Sequence, residues 1–376
     1  MRAYLDHNAT APLRPEANAA LSAVLAAPAG NASSLHAEGR AARARIEEAR
    51  ARVAALCGVP ARDVVFTSGG TEAIAAAIRG IADRATGERR RIIISSIEHS
   101  AVLDAARALA RSGFEVVEVA CERSGAIDAA RFAREIDARV ALAALQAANN
   151  ETGVIQPVAE VGSACRAAGA AFLVDAVQTA GKVPIDREGW SADLVAISGH
   201  KLGGPQGTGA LIVREGLALA PLLPGGAQER RRRGGTEPVA AIAGFGAACE
   251  AASCDRDLLP LRARLEAGLR AASPDVRIHG EGAPRLPNTV NAAFPGVSGE
   301  TLVIALDLAG FAAATGSACA SGAVEPSHVL RAMGLDEEAA RGAVRFSMGW
   351  STTEAEVDRL VEALPALVAR ATMARP

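Results

Sequence analysis

Between residues 64 and 213 the chain alternates short apolar runs with longer stretches whose apolar residues recur at helical spacing. The runs lie at 64–66, 92–94, 116–119, 140–145, 171–174, 194–197 and 210–213, and helical stretches at 71–82, 101–112 and 158–169 fall between them. A strand that is apolar throughout needs cover on both faces, because a half-exposed strand alternates with polar residues. The rhythm therefore predicts an α/β fold with a mainly parallel sheet between helices. The last two runs follow each other closely through Gly203-Gly204-Pro205-Gln206-Gly207, which suits one antiparallel strand. Near Asp255 the pattern changes to a long helical stretch at 258–272 and shorter elements at 289–294, 300–308, 327–332, 343–346 and 354–371. That reads as a second, α+β unit, in keeping with a length of 376 residues.

Several function classes are poor fits. The net charge is −2, and the one basic block, Arg230 to Arg233, sits between glycines rather than along a face. One Tyr, two Trp and eight Phe leave little surface for stacking bases, so nucleic acid is not an expected partner. The first residues have no apolar signal core, and no run is long enough to span a bilayer. A soluble, cytoplasmic protein without membrane contact is expected. None of the six cysteines forms a C-x-x-C pair or lies at zinc-finger spacing from a histidine, so no metal site is expected. Cys57, Cys165 and Cys249 read as buried small hydrophobes.

The chain has 40 basic residues, and only Lys182 and Lys201 are lysine. Arginine serves as well for surface charge but stays protonated, so it cannot form a Schiff base with a carbonyl. Lys201 closes Ser198-Gly199-His200-Lys201, directly after an apolar run. Ligands of open α/β sheets bind beyond the carboxyl ends of the strands, which makes Lys201 a candidate covalent anchor. Two further strand ends are informative. Thr67-Ser68-Gly69-Gly70-Thr71-Glu72 joins a strand to a helix, where free N–H groups at Gly70 and Thr71 suit an anion; a plain glycine turn is the alternative. Asp175 ends a buried strand, where an acid is costly unless paired; it is either a helix cap or the partner of a cationic ring nitrogen. An anion cradle, an aspartate and a lysine are the parts that pyridoxal 5'-phosphate requires. His99 also follows a strand, as a proton-moving group stacked on a ring or as an exposed helix-start residue. Lys182, expected at the far end of a helix after Asp175, has no chemical role in this reading.

Cys319 lies among small residues in Ala314-Thr315-Gly316-Ser317-Ala318-Cys319-Ala320-Ser321-Gly322. The segment has little to bury, which suits a mobile loop that presents a nucleophile; a buried cysteine in a small-residue turn is the other reading. Arg345 interrupts the apolar strand pattern of 343–346, as a carboxylate clamp or as half of a structural ion pair.

Taken together, these motifs resemble the cysteine desulfurases of the NifS/IscS type, fold-type I pyridoxal-phosphate enzymes of the class-V aminotransferase family. The likeness runs through Tyr4-Leu5-Asp6-His7-Asn8-Ala9-Thr10, Ser68-Gly69-Gly70-Thr71-Glu72, Glu98-His99, Ala148-Asn149-Asn150-Glu151-Thr152-Gly153, Val174-Asp175-Ala176-Val177-Gln178, Ser198-Gly199-His200-Lys201, Gly235-Thr236-Glu237-Pro238, Gly316-Ser317-Ala318-Cys319 and Arg345-Phe346-Ser347. It implies a large cofactor-binding domain at 13–254 and a smaller domain at 1–12 and 255–376, which carries the cysteine loop at about 314–323. It also implies the roles. Lys201 anchors the cofactor and takes the Cα proton; Asp175 pairs with the ring nitrogen and Gln178 with the ring hydroxyl. Gly70, Thr71, Ser198 and His200 hold the phosphate. Thr236 reaches it from the other subunit of a homodimer. His99 stacks on the ring, Asn150 and Arg345 place the substrate L-cysteine, and Cys319 carries sulfur away as a persulfide and leaves L-alanine.

The implied partner is a sulfur-acceptor protein, either an iron–sulfur scaffold or a tRNA-thiolation factor. The only metal contact implied is transient ligation of an iron–sulfur cluster by Cys319 during transfer. The chain departs from the family where Ile74 and Ala75 replace polar residues, where Ala32 replaces a proline, and at Pro376, where housekeeping members continue into a scaffold-docking tail. Competing readings are a selenocysteine lyase or another lyase or aminotransferase with the same cofactor, and an inactive homologue acting as a binding platform. A platform would need none of Lys201, Asp175, His99 and Cys319.

Overall fold

The computed structural model describes residues 2–253, 255, 257–315 and 326–373. The first half of the chain runs β1 (Ala3–Tyr4), α1 (Pro15–Leu25), α2 (Ala37–Leu56), β2 (Val64–Thr67), α3 (Gly70–Ala82), β3 (Arg91–Ser95), α4 (Ser100–Ala110), β4 (Glu115–Val119), α5 (Ala129–Arg134), β5 (Val140–Gln146) and α6 (Val158–Ala168). It continues through β6 (Ala171–Asp175), β7 (Leu194–Ser198), β8 (Gly209–Val213), α7 (Val239–Ala252), α8 (Leu259–Ala272), β9 (Arg277–Ile278) and β10 (Thr289–Ala293). The last elements are α9 (Gly299–Leu308), β11 (Phe311–Ala312), α10 (His328–Ala332), α11 (Glu337–Arg341), β12 (Ala343–Ser347) and α12 (Glu354–Met373).

Strands β2 to β8 form one seven-stranded sheet in the order β2-β8-β7-β6-β5-β3-β4. All pairs among β4, β3, β5, β6 and β7 are parallel, and β8 runs against both of its neighbours. The short link from Ser198 to Gly209 leaves no room for a crossover helix, so β8 folds straight back on β7.

Both faces of the sheet are covered, which is why its strands read as unbroken apolar runs. Along β3, Ile93 packs in one core cluster with residues of α2, α6 and α7, while Ile92 and Ile94 pack in another with residues of α3 and α4. Helix α7 lies close against α2: a methyl group on Gly246 would come within 2.6 Å of the Ala49 Cα. Dispersion at that distance depends on small residues on both helices.

A third cluster gathers α8, α9, α12, β10 and β12, and Ala3 and Leu5 pack into it from the start of the chain. There β1 pairs in parallel with β11, and β12 and β9 flank β10 in an antiparallel sheet. The residues that follow β1 then cross to the large sheet, where the Ala11 N–H donates to the His200 carbonyl at 2.9 Å. No described helix is long and apolar enough to cross a membrane.

One local expectation was wrong. Residues 176–182 do not form a helix after Asp175 but a tight double turn, with Ala180 N–H on Ala176 O and Lys182 N–H on Thr179 O. Pro184 and Gly181, with φ +71° at the glycine, stop the turn from propagating.

Candidate active site

Because six of the seven strands point the same way, the turns that follow β2, β3, β5, β6 and β7 emerge along one edge of the sheet. They surround a cavity of about 470 Å³. Gly70, Thr71, His99, Asn150, Asp175, Gln178, Ser198, His200, Lys201 and Arg345 all line it. Sequence positions more than 250 residues apart thus converge on one space. Two larger cavities, of about 570 and 690 Å³, lie elsewhere and contain neither lysine.

One end of the cavity is an anion cradle. Helix α3 starts at Gly70, behind Gly69 with φ +156°. A Cβ on Gly70 would sit 2.9 Å from Val177 Cγ2 and 3.3 Å from Ser198 Cβ, so only glycine lets the three segments close up here. His200 joins the cradle, with the Thr10 hydroxyl 3.1 Å from its Nδ1. Burial, helped by the Lys201 charge, pulls the His200 pKa down to about 4. Before any anion binds, the side chain is therefore a neutral imidazole.

Asp175 ends β6 and is buried. Its Oδ1 accepts from Val177 N–H at 2.9 Å, which makes it a turn cap as well as a cavity residue. Burial raises its pKa, against the pull of that hydrogen bond, His99 and Lys201. An ionised carboxylate held there calls for a cation in the cavity. His99 caps α4, accepting from Ala101 N–H on Nδ1 at 3.1 Å, and so keeps its proton on Nε2 when neutral. Burial lowers its pKa; Asp175 opposes this and Lys201 adds to it.

Lys201 closes a single 3-10 turn after β7. Its Nζ donates to the carbonyls of Asn8 at 2.6 Å and Ala9 at 2.7 Å. Burial and then the Arg345 charge bring its pKa down to about 8, against Asp6 and Asp175. A substantial neutral fraction near physiological pH is what an amine nucleophile requires.

Arg345 is buried in β12. It bonds Asp6 Oδ1 at 2.7 Å and the Asn150 carbonyl at 3.1 Å, while its Nε has no partner among the described residues. It is thus half of an ion pair, with a buried Nε that has no described acceptor.

Cys319 lies outside the described residues. The chain before its segment reaches the cavity, and the chain after it is held by Glu151 and Glu98, the neighbours of cavity residues Asn150 and His99. Ala314 lines the cavity and exchanges backbone hydrogen bonds with Arg345. Ser327 Oγ donates to Glu151 Oε2 at 2.5 Å, and His328 Nε2 lies 2.9 Å from the Glu98 carbonyl. Thr236 is exposed and does not line this chain's cavity.

The profile of the aminotransferase class-V family matches residues 3–360. This chain belongs to that family. It is 46% identical to a cysteine desulfurase of Cereibacter sphaeroides, with 98% of this chain and 96% of the relative aligned. It is 42% identical to a cysteine desulfurase of Trichormus azollae, over 98% and 93%. A solved structure described as a NifS-like protein superimposes with a TM-score of 0.91 at 33% identity, covering 98% of this chain and all of that one.

Asp6 and Asn8 also belong to this class-V site, as partners of Arg345 and Lys201. The Asn8 carbonyl receives both Lys201 Nζ and Gln178 Nε2, and its side chain reaches Asn150 O and Thr289 Oγ1. The available signal was the polar Asp6-His7-Asn8 run directly after the apolar Leu5. Ile74 lines the cavity and is buried, so the departure from polar residues there puts an apolar wall beside the cradle. Among the described residues no cluster of three or more His, Cys, Asp or Glu could hold a metal ion.

Proposed function

We propose that this class-V enzyme is a cysteine desulfurase that uses pyridoxal 5'-phosphate to convert L-cysteine to L-alanine, with the sulfur held as a persulfide on Cys319. The observation that carries the reading is the convergence of a pKa-depressed Lys201, a buried Asp175 and the Gly70 cradle on one cavity. The residues fit the cofactor. The cradle is closed to any side chain at Gly70, and Asp175 is a buried acid without a cationic hydrogen-bond partner among the described residues. Residues 13–254 would form the cofactor-binding domain, and 1–12 with 255–376 the smaller one.

Gly70, Thr71, Ser198 and His200 would hold the phosphate, Asp175 the ring nitrogen and Gln178 the ring hydroxyl. When bound, the cofactor supplies an aldehyde for the lysine amine and a cationic ring that draws electrons from Cα. Arg345 and Asn150, which both line the cavity, would place the substrate carboxylate. Lys201 Nζ takes the Cα proton, and His99 Nε2 is the second proton carrier, beside the ring. The Cys319 thiolate bonds to the substrate sulfur. The substrate C–S bond breaks as the S–S bond forms, and a proton completes the methyl group of alanine. L-cysteine and an enzyme thiol thus give L-alanine and an enzyme persulfide, with no external oxidant.

The place of Ala314 in the cavity wall supports Cys319 as the nucleophile, since its segment leaves the described chain shortly after the site. The exposure of Thr236 outside its own cavity leaves it free to complete the neighbouring site of a homodimer. A sulfur-acceptor protein would collect the persulfide. Cys319→Ser is expected to bind the cofactor and keep its visible absorption band but form no alanine from cysteine. Normal turnover by that variant would exclude the persulfide route and favour another lyase chemistry, and absence of any band in the wild type would favour a binding platform.

A further inference from the structure

Lys182, the other lysine of the chain, sits where a lysine is costly. The double turn after β6 brings its side chain back into the protein, into a cavity of about 280 Å³ that it shares with His7, Arg14, Lys201, Asp255 and Asp257. The carboxylate of Asp255 is taken by Arg14. The charges that act on Lys182 are the cations Lys201 and Arg345, and burial followed by these two pushes its pKa down to about 7. A methionine would fill the same space with neither desolvation nor repulsion. The amine is half-buried, and a role for it beyond filling space is expected.

Its hydrogen bonds indicate the role. Lys182 Nζ donates to the Gln178 carbonyl at 2.8 Å and to the Gln178 side-chain oxygen Oε1 at 3.2 Å. On the other side of the amide, Gln178 Nε2 donates to the Asn8 carbonyl at 3.0 Å. An ammonium only donates and a carbonyl only accepts. Turning the amide over would set its oxygen against the Asn8 carbonyl and its N–H groups against the ammonium. The orientation is therefore dictated by the Asn8 carbonyl at one end and, while Lys182 carries its proton, by the ammonium at the other. The amide has two N–H donors, and Asn8 O uses one. The second remains for a ligand in the main cavity, which Gln178 also lines. The same Asn8 carbonyl accepts from Lys201 at 2.6 Å, so the chain Lys182–Gln178–Asn8–Lys201 joins the two lysines.

We propose that Lys182 is a positioning residue, which holds the Gln178 amide with its N–H donor, rather than its oxygen, toward the ring hydroxyl of the bound cofactor. The inference rests on the pyridoxal-phosphate reading of the cavity. A structural role alone, tying the turn through the Gln178 carbonyl, would alter stability and leave the electronics of the bound cofactor untouched.

The test is a pH titration of the visible absorption of the cofactor-loaded protein, in wild type, Lys182→Met, Gln178→Ala and the double variant. A donor on the ring oxygen stabilises its negative charge, so losing the donor raises the pH at which the band changes. Lys182→Met is expected to raise that midpoint by about one pH unit or more in the wild-type background, and by clearly less in the Gln178→Ala background. Equal shifts in the two backgrounds would mean that the ammonium acts through space and not through the amide, and would overturn the proposal, as would no shift at all. Should Lys182→Met not fold, Lys182→Gln keeps an N–H donor without the charge. A midpoint near that of the wild type then supports the holding role, and a midpoint equal to that of Gln178→Ala refutes it. Failure of the cofactor reading looks different: the wild type itself would show no visible band.

Discussion

Asp175→Asn separates what the buried carboxylate does for the cofactor from what it costs the protein. The substitution preserves shape, and the new amide oxygen can still accept from Val177 N–H, so the turn after β6 is retained. What is lost is the charge. If Asp175 pairs with a cationic ring nitrogen, removing one partner of a buried charge pair costs about 2–5 kcal/mol, or about 30-fold to several thousand-fold in cofactor dissociation constant. Without the cofactor the sign reverses. Burial raises the Asp175 pKa, so its ionised form opposes folding. A folded-state pKa above the unfolded value means that stability falls as pH rises from about 4, the free aspartate value, through the raised pKa. Asparagine has no such penalty. The apo variant is therefore expected to be at least as stable as the wild type at neutral pH, with its advantage shrinking toward pH 4. Absorbance titration of the apoprotein with pyridoxal phosphate gives the affinity, and thermal unfolding of both apoproteins at several pH values gives the stability. Affinity within about threefold of the wild type, under ~0.7 kcal/mol, would show that Asp175 faces no cation. A clearly less stable apoprotein would show that its role is structural.

Two other substitutions test different parts of the account. Gly70→Ala puts a methyl group 2.9 Å from Val177 Cγ2 at the mouth of the cradle; the overpacking is expected to cost about 1–3 kcal/mol, seen as weaker cofactor phosphate binding, and unchanged affinity would remove Gly70 from the cradle. Glu229→Ala strips both oxygens from Arg50, bonded at 2.7 Å each, and one of them from Phe66 N–H at 2.8 Å. The Arg50 side chain, only 2% exposed, keeps Glu47 and the Val64 carbonyl, so the loss should be about 1–3 kcal/mol, measured as a lower unfolding temperature of the apoprotein; a loss under about 1 kcal/mol would mean that Glu47 or water takes over the charge.

The sheet was legible in the sequence because its strands are sealed on both faces, and the seven apolar runs 64–66 to 210–213 match the seven strands. The cavity residues were legible because strand ends in such a sheet share an edge, so Asp175 and Lys201 could be placed together without knowing the strand order. Helices α1, α2 and α7 were not anticipated. Alanine and glycine make up much of their contacts, as at Gly246 and Ala49, and alanine gives no clear apolar period. The use of the Asn8 carbonyl was also hidden, since a backbone acceptor leaves no mark on residue type. Lys182 was misplaced on a helix that the Gly181–Pro184 pair does not allow, and its bond to Gln178, four residues back, left no mark on the sequence pattern.

The most direct measurement is the product balance of the cofactor-loaded wild-type protein with L-cysteine and a thiol reductant. Equal amounts of L-alanine and sulfide are expected, because the reductant releases the sulfur that each turnover leaves on Cys319. Pyruvate and ammonia in place of alanine would mean β-elimination without a persulfide, and no product from a protein that holds its cofactor would contradict a desulfurase altogether.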